Sequence, residues 1–280
     1  MCYNTAMESI NLLFALDDFY VPQLKVLLTS LYINNTCDFH LYLFHSGLKK
    51  ENQESLLKFV NVFHWNLEFV EIDETIFTQA VSDRYPKQMY YRLLAPSILK
   101  DIDRIIYLDP DILIINSLEA LWNLDLEDKV IAAAAHTQTT DIANTINKVR
   151  LNTEHDYYNS GVLLIDLEKA REVVDLDHLF DYVKEHENEL LFPDQDVLNS
   201  LYGKYIKPLD DYIWNYDARN YSRYLLRSQG RSDVDWVIEN TSILHFCGKA
   251  KPWKKNYRYR FGVLYKHYMK LMEKVEAEAN

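Results

Sequence analysis

The run Arg104 to Asn116, RIIYLDPDILIIN, constrains this chain more than any other stretch. It is rich in Ile and Leu and is interrupted once, by Asp109-Pro110-Asp111. An apolar run this short reads as a buried strand, yet unpaired charge in a core is costly. Both statements hold if Ile105 to Leu108 is a strand and the two acids stand at its end. Strand side chains repeat every second residue, so Asp109 and Asp111 point the same way. Pro110 fixes one dihedral and donates nothing to a ladder, which suits a strand terminus. Two aligned carboxylates at a sheet edge suit a hard divalent cation. A plain acidic turn is the other arrangement these residues allow.

The same periods place the remaining elements. Ile10 to Leu16, Phe39 to Phe44, Leu67 to Ile72, Lys129 to Ala135, Gly161 to Leu167 and Ser242 to Phe246 read as strands. Helical spacing runs through Leu24, Leu27, Leu28 and Leu31 after Pro22, and through Leu56, Leu57, Val60 and Phe63. Further helices are expected over Met89 to Leu99, which carries Arg92, over Leu118 to Leu124 behind Ser117, and from Glu168 to about His186. Another is expected to be capped by Asp194 and to carry Gln195 and Asp196. Thr137 to Tyr157 is polar and weakly periodic and reads as a loop; Tyr212 to Asp235 is aromatic and charged with no period. The tail Tyr257 to Val275 reads as helical. Strands alternating with helices imply an α/β fold, a mostly parallel central sheet flanked by helices. Ligands in such sheets sit at the carboxyl ends of strands, so Asp17-Asp18 should border the crevice of Asp109 and Asp111. No repeat or linker divides the chain, so the expected organisation is a catalytic domain over 1–253 with a helical C-terminal extension over 254–280.

Composition narrows the function. With 280 residues, 48% of them hydrophobic, the chain can bury a full core. Thirty basic residues against 42 acidic leave a net charge of −12, which argues against nucleic acid as a partner. Cys2, Cys37 and Cys247 are odd in number and show no C-x-x-C spacing, which points to a reducing, cytoplasmic setting. No secretory signal is visible at the N-terminus, and no apolar stretch is long enough to span a bilayer. Six glycines argue against a glycine-rich phosphate loop, while 21 tyrosines suit sugar contact.

Five stretches in order carry a family likeness: FALDDFY (14–20), YYRLLAPSIL (90–99), RIIYLDPDILI (104–114), YNSGVLLIDL (158–167) with FPDQDVLN (192–199), and HFCGKAKPW (245–253). The chain resembles the family 8 glycosyltransferases, the retaining group that includes bacterial lipopolysaccharide galactosyl- and glucosyltransferases and glycogenin. The resemblance implies a GT-A nucleotide-sugar fold. It implies a metal-dependent retaining α-glycosyltransferase that moves galactose or glucose from a UDP-hexose to a saccharide or glycan acceptor, lipid- or protein-linked acceptors included.

It also implies roles for residues. His245, which alone reads as a satisfied strand-end histidine, becomes the third metal ligand with Asp109 and Asp111. An imidazole among carboxylates favours Mn²⁺ over Mg²⁺. Lys251, otherwise a solvated lysine, would stand at the diphosphate, with Gly248 allowing close backbone approach and Pro110 at the donor. Ala15, Asp17 and Tyr20 would hold uracil and ribose, although Phe19 stands where relatives often carry Asn. Arg92 would face the sugar or diphosphate, or form a structural salt bridge; Asn159, Asp194, Gln195 and Asp196 would line the donor sugar. Gln195, beneath the anomeric carbon, is a poor nucleophile, which favours front-face attack over double displacement. The basic, aromatic tail from Lys254 to Lys270 would either pack on the domain or touch the inner membrane face as a peripheral anchor. Two rival functions share some of these features. Aspartate-based phosphohydrolases also open on h-h-D-x-D, but want Thr or Val where this chain has Leu113. A non-catalytic nucleotide-sugar-binding relative would not require Asp109, Asp111, His245 and Lys251 together.

Overall fold

The computed structural model describes residues 9–77, 86–135 and 141–279. Cys2 and residues 137–140 of the expected loop lie outside the described residues. The first half alternates strand and helix: β1 (Ile10–Ala15), α1 (Val21–Asn34), β2 (Phe39–His45), α2 (Lys50–Asn61), β3 (Asn66–Glu71), α3 (Tyr91–Ile98) and β4 (Arg104–Leu108). These four strands are parallel to their neighbours among themselves. After Asp109-Pro110-Asp111 come β5 (Ile112–Ile114), α4 (Glu119–Trp122), β6 (Ile131–Ala135), α5 (Asp141–Leu151) and β7 (Tyr158–Asp166). The chain continues through α6 (Leu167–Val173), α7 (Leu176–His186), α8 (Pro193–Val197), β8 (Ile206–Leu209), α9 (Asp211–Trp214), β9 (Tyr216–Asp217), α10 (Tyr221–Arg227), α11 (Val234–Asn240), β10 (Ile243–His245) and α12 (Gly262–Ala279).

Seven strands form the main sheet in the order β3-β2-β1-β4-β7-β6-β8, and β5-β10-β9 form a second, smaller one. In the main sheet β7 alone runs against its neighbours β4 and β6. Both faces are covered over the central strands, which explains why β1, β2, β4 and β7 read as mostly apolar, whereas the edge strand β3 alternates with Asn66, Glu68 and Glu71. Along β1, Leu12 and Phe14 enter one core while Leu13 and Ala15 enter the other; along β4, Ile106 and Leu108 oppose Ile105 and Tyr107 in the same way. The expected mostly parallel α/β sheet with a C-terminal helix is the one observed.

Three local expectations need correction. Part of the expected loop over Thr137 to Tyr157 is helical, as α5. Its Ile146 and Val149 are exposed, so no apolar stripe marks it. Polar ties hold it instead, among them Asn144 and Lys148 on Asp156 at 2.7 and 2.8 Å. The single helix from Glu168 is two, because Asp175 starts a new one by accepting from the backbone of Asp177 and His178. Asp194 does not cap its helix: Phe192 is the cap residue, Pro193 opens the first turn, and Asp194 follows inside it.

The C-terminal helix α12 lies on α1 and α2. Its Tyr265, Tyr268 and Met272 are buried in the same core as Leu24, Leu27 and Leu31 of α1. Tyr268 accepts from Asn34 at 2.8 Å, and Glu276 pairs with the buried Lys25. These apolar residues of the tail therefore face the molecule's own interior. No helix among the described residues is long and apolar enough to cross a membrane.

Candidate active site

β4 ends at Leu108, and the next three residues turn the chain out of the main sheet into β5. Asp109 and Asp111 stand on that corner, and β10, pairing antiparallel with β5, brings His245 opposite Ile112. Ligand atoms of Asp109, Asp111 and His245 all lie within 4.8 Å of one another. The imidazole Nε2 is 3.2 Å from Asp111 Oδ1 and 3.7 Å from Asp109 Oδ2.

Each of the three side chains is pinned at its outer atom, leaving the inner atoms facing one another. Asp109 Oδ1 accepts from the Tyr107 hydroxyl at 2.7 Å and pairs with Arg92 at 3.1 Å. Asp111 Oδ2 accepts from Lys251, which also donates to the Phe246 carbonyl at 3.0 Å. His245 Nδ1 donates to Asn215 Oδ1 at 2.9 Å, which turns Nε2 toward the two carboxylates. Outer contacts of this kind would orient metal ligands. Gly161 of β7 makes room for the cluster: a Cβ there would come within 2.4 Å of His245 Cε1 and 2.5 Å of Asp109 Oδ2. Two carboxylate oxygens and one imidazole nitrogen, converging beside a glycine, fit a divalent cation with mixed O/N preference.

Burial raises the cost of a charged Asp111, but His245 and Lys251 outweigh it and hold its carboxyl below the usual carboxylate range. Burial likewise opposes a charged His245, and Cys247 and Asp111 overcome it, so its proton affinity stands above that of an ordinary imidazole. At Asp194 burial wins: its pKa is raised despite Arg92 at 3.4 Å and the Ser160 hydroxyl at 2.7 Å.

A cavity of about 440 Å³ opens over the cluster, with Asn159, Asp194, Gln195 and Gly248 in its wall. A second of about 260 Å³ adjoins it, lined by Ala15, Asp17, Tyr20 and Pro110; Arg92, Asp109 and Asp111 belong to both. Tyr20 stands edge-on to Trp253, their ring centres 6.2 Å apart. Asp18, by contrast, turns away and accepts from Lys49 and Asn52 at the start of α2.

A sequence profile described as "Glycosyl transferase family 8" matches residues 11–257. The chain belongs to glycosyltransferase family 8. General stress protein A of Bacillus subtilis is 30% identical over 274 residues, covering 94% of this chain and 93% of that one. Lipopolysaccharide 1,2-glucosyltransferase of Escherichia coli K12 is 23% identical over 264 residues, 89% of this chain and 74% of that one. Among solved structures, the galactosyltransferase LgtC in complex with donor and acceptor sugar analogues superposes with a TM-score of 0.79 at 22% identity, over 94% of this chain and 96% of that one. That likeness concerns the GT-A fold. Family 8 membership sets aside the phosphohydrolase alternative.

Most of the expected family 8 site residues line this cleft; Lys251 stands behind it on Asp111, and Asp196 is the one that does not reach it. Asp196 is fully buried and lines neither cavity. Its carboxylate accepts from Arg150 at 2.6 and 2.9 Å, from the Tyr157 hydroxyl, and from the backbone of Leu191 and Phe192. The reason is geometric: residues two apart on a helix are about 200° apart around its axis, so Asp194 and Asp196 cannot face one cleft. Tyr107, Gly161, Asn215 and Arg219 were not singled out from the sequence. Tyr107 was within reach, because a period of two places it on the side of Asp109. Gly161 lies inside the YNSG stretch, whereas Asn215 and Arg219 carry no local signal.

Proposed function

We propose that this family 8 chain is a metal-dependent retaining α-glycosyltransferase that moves galactose or glucose from a UDP-hexose to a saccharide or glycan acceptor. The observation that carries the reading is the convergence of Asp109 Oδ2, Asp111 Oδ1 and His245 Nε2, each held from behind, at the carboxyl end of β4. The donor set suits Mn²⁺ ahead of Mg²⁺. Bound there, the ion would supply Lewis-acid neutralisation of charge on the departing diphosphate.

The chain's own residues do the rest. The smaller cavity takes the uridine: Asp17 accepts from the uracil N–H, and the Tyr20 ring stays fixed by Trp253. Lys251 adds a cation beside Asp111 at the diphosphate, within reach of the Gly248 turn. Arg92 keeps Asp109 and Asp194 apart and oriented, with its guanidinium 4.3 Å over the Tyr107 ring. Asn159 donates to Gln195 Oε1 at 3.0 Å, so the carboxamide is held in one orientation at the wall of the donor-sugar cavity. A carboxamide so held forms no stable covalent adduct. The acceptor hydroxyl therefore attacks from the side the diphosphate leaves, and its proton passes to the departing phosphate oxygen.

UDP release from a panel of UDP-hexoses, with Mn²⁺ and with chelator, tests the reading. Release should require the metal and should disappear in Asp111→Asn. Metal-independent release, or turnover unchanged in that variant, refutes it.

A further inference from the structure

The stretch with no readable period, Tyr212 to Asp235, and the basic tail meet beside the donor cleft. Together they line a cavity of about 450 Å³ formed by Arg219, Asn220, Ser222, Arg223 and Tyr259. Arg219 lines the donor-sugar cavity as well, so the two spaces share a wall.

The topology explains why. β9 and β10 are parallel neighbours with Asp217 opposite His245. The chain leaving β9 toward Arg219 thus runs beside the chain leaving β10 toward Gly248. The two turns touch: Gly248 has φ +79°, and a Cβ on it would lie 2.2 Å from Arg219 Nη1. Asp217, 1% exposed, fixes the turn. It accepts from Arg219 Nε at 2.9 Å, Nη2 at 2.7 Å and backbone N at 3.0 Å, and from Asn220 Nδ2 at 2.7 Å. Arg219 is therefore held rigid and its charge is balanced. Arg223 is exposed on the same wall and forms no ion pair among the described residues. Arg260, stacked 4.2 Å over the Tyr221 ring, is a second cation without an ion pair among the described residues. A local excess of cations beside the cleft is notable in a chain of net charge −12.

We propose that this cavity is an acceptor subsite that receives an anionic substituent, a phosphate or a uronate carboxylate, carried by the acceptor glycan. The inference rests on the glycosyltransferase reading above and adds the acceptor's chemical class to it. The Arg223 guanidinium can match phosphate or carboxylate with paired donors, and Tyr259 offers a face for the sugar ring. The shared wall at Arg219 lets one molecule occupy the subsite and reach the donor sugar.

Calorimetry on the full chain tests this at fixed ionic strength. UDP with Mn²⁺ is titrated first and kept saturating, so that the donor cleft is filled; absence of UDP binding would overturn the donor reading and this one with it. Glucose, glucose 6-phosphate and glucuronate are then titrated in turn. At least one anionic sugar should bind about tenfold tighter than glucose, and which one does separates the phosphate source from the carboxylate. Arg223→Gln should remove that advantage, while Arg231→Gln, an exposed change off the cavity wall, should keep it. Equal binding of the neutral and charged sugars, or an advantage that survives Arg223→Gln, overturns the proposal. So does an effect of Arg223→Gln confined to anionic vesicles, which would mark a lipid headgroup site.

Discussion

A methyl group added at Gly161 would enter the space between two proposed metal ligands. Built on the existing backbone, it would stand 2.4 Å from His245 Cε1 and 2.5 Å from Asp109 Oδ2, where ordinary contact begins near 3.4 Å. Relief requires about 1 Å of movement by both side chains. The backbone cannot supply it cheaply, because Asp109 N donates to the Gly161 carbonyl at 2.8 Å and β4 pairs with β7 along its whole length. Metal–ligand distances hold to about 0.2 Å, so a shift of that size removes the geometry. Gly161→Ala should therefore weaken Mn²⁺ binding by roughly 10–100-fold, the range seen when ligand orientation is lost. Overpacking should also lower stability by about 1–3 kcal/mol, or a few degrees of melting temperature in a chain of this size. Calorimetric Mn²⁺ titration gives the first quantity and thermal melts in chelator the second. A well-folded variant that binds Mn²⁺ within about twofold of the parent would refute the argument that these side chains form the metal site.

Asn215→Ala releases His245 Nδ1 and should reduce Mn²⁺ affinity about tenfold; unchanged affinity would mean that something else sets the imidazole ring. Gln195→Ala should slow transfer yet leave the product α-configured by NMR of the anomeric proton, and an inverted product would contradict front-face attack. Arg150→Met strands the buried Asp196 carboxylate and should lower stability in urea by about 3–5 kcal/mol without altering Mn²⁺ affinity. A loss of metal binding there would return Asp196 to the site.

Some of this architecture is legible in the chain because burial on both faces leaves a plain signature. β1, β2 and β4 are mostly apolar runs broken only near their ends, and α1 carries leucines at helical spacing. The acids of the site are legible for the opposite reason, as charges misplaced in such a run. His245 is not: β10 is three residues long and ends like any strand, so only the family likeness singled it out. Between Asp211 and Arg227 the elements are four, two and seven residues long, too short for a period to emerge, and Asn215 and Arg219 sit among them. α5 escaped notice because it is fixed by charge pairs, which leave no pattern of hydrophobicity. The division at Asp175 had a cue in its own residues, since an Asp before a leucine-bearing stretch is a ready helix start.

The corner at Pro110 has a mechanical meaning. Asp109 closes the large sheet, whereas Asp111 and His245 belong to the small one. Any ion gripped by all three stitches the two sheets together at a single point, and its binding free energy adds directly to their cohesion. Loading such an ion and stiffening the scaffold around the cleft would then become one event.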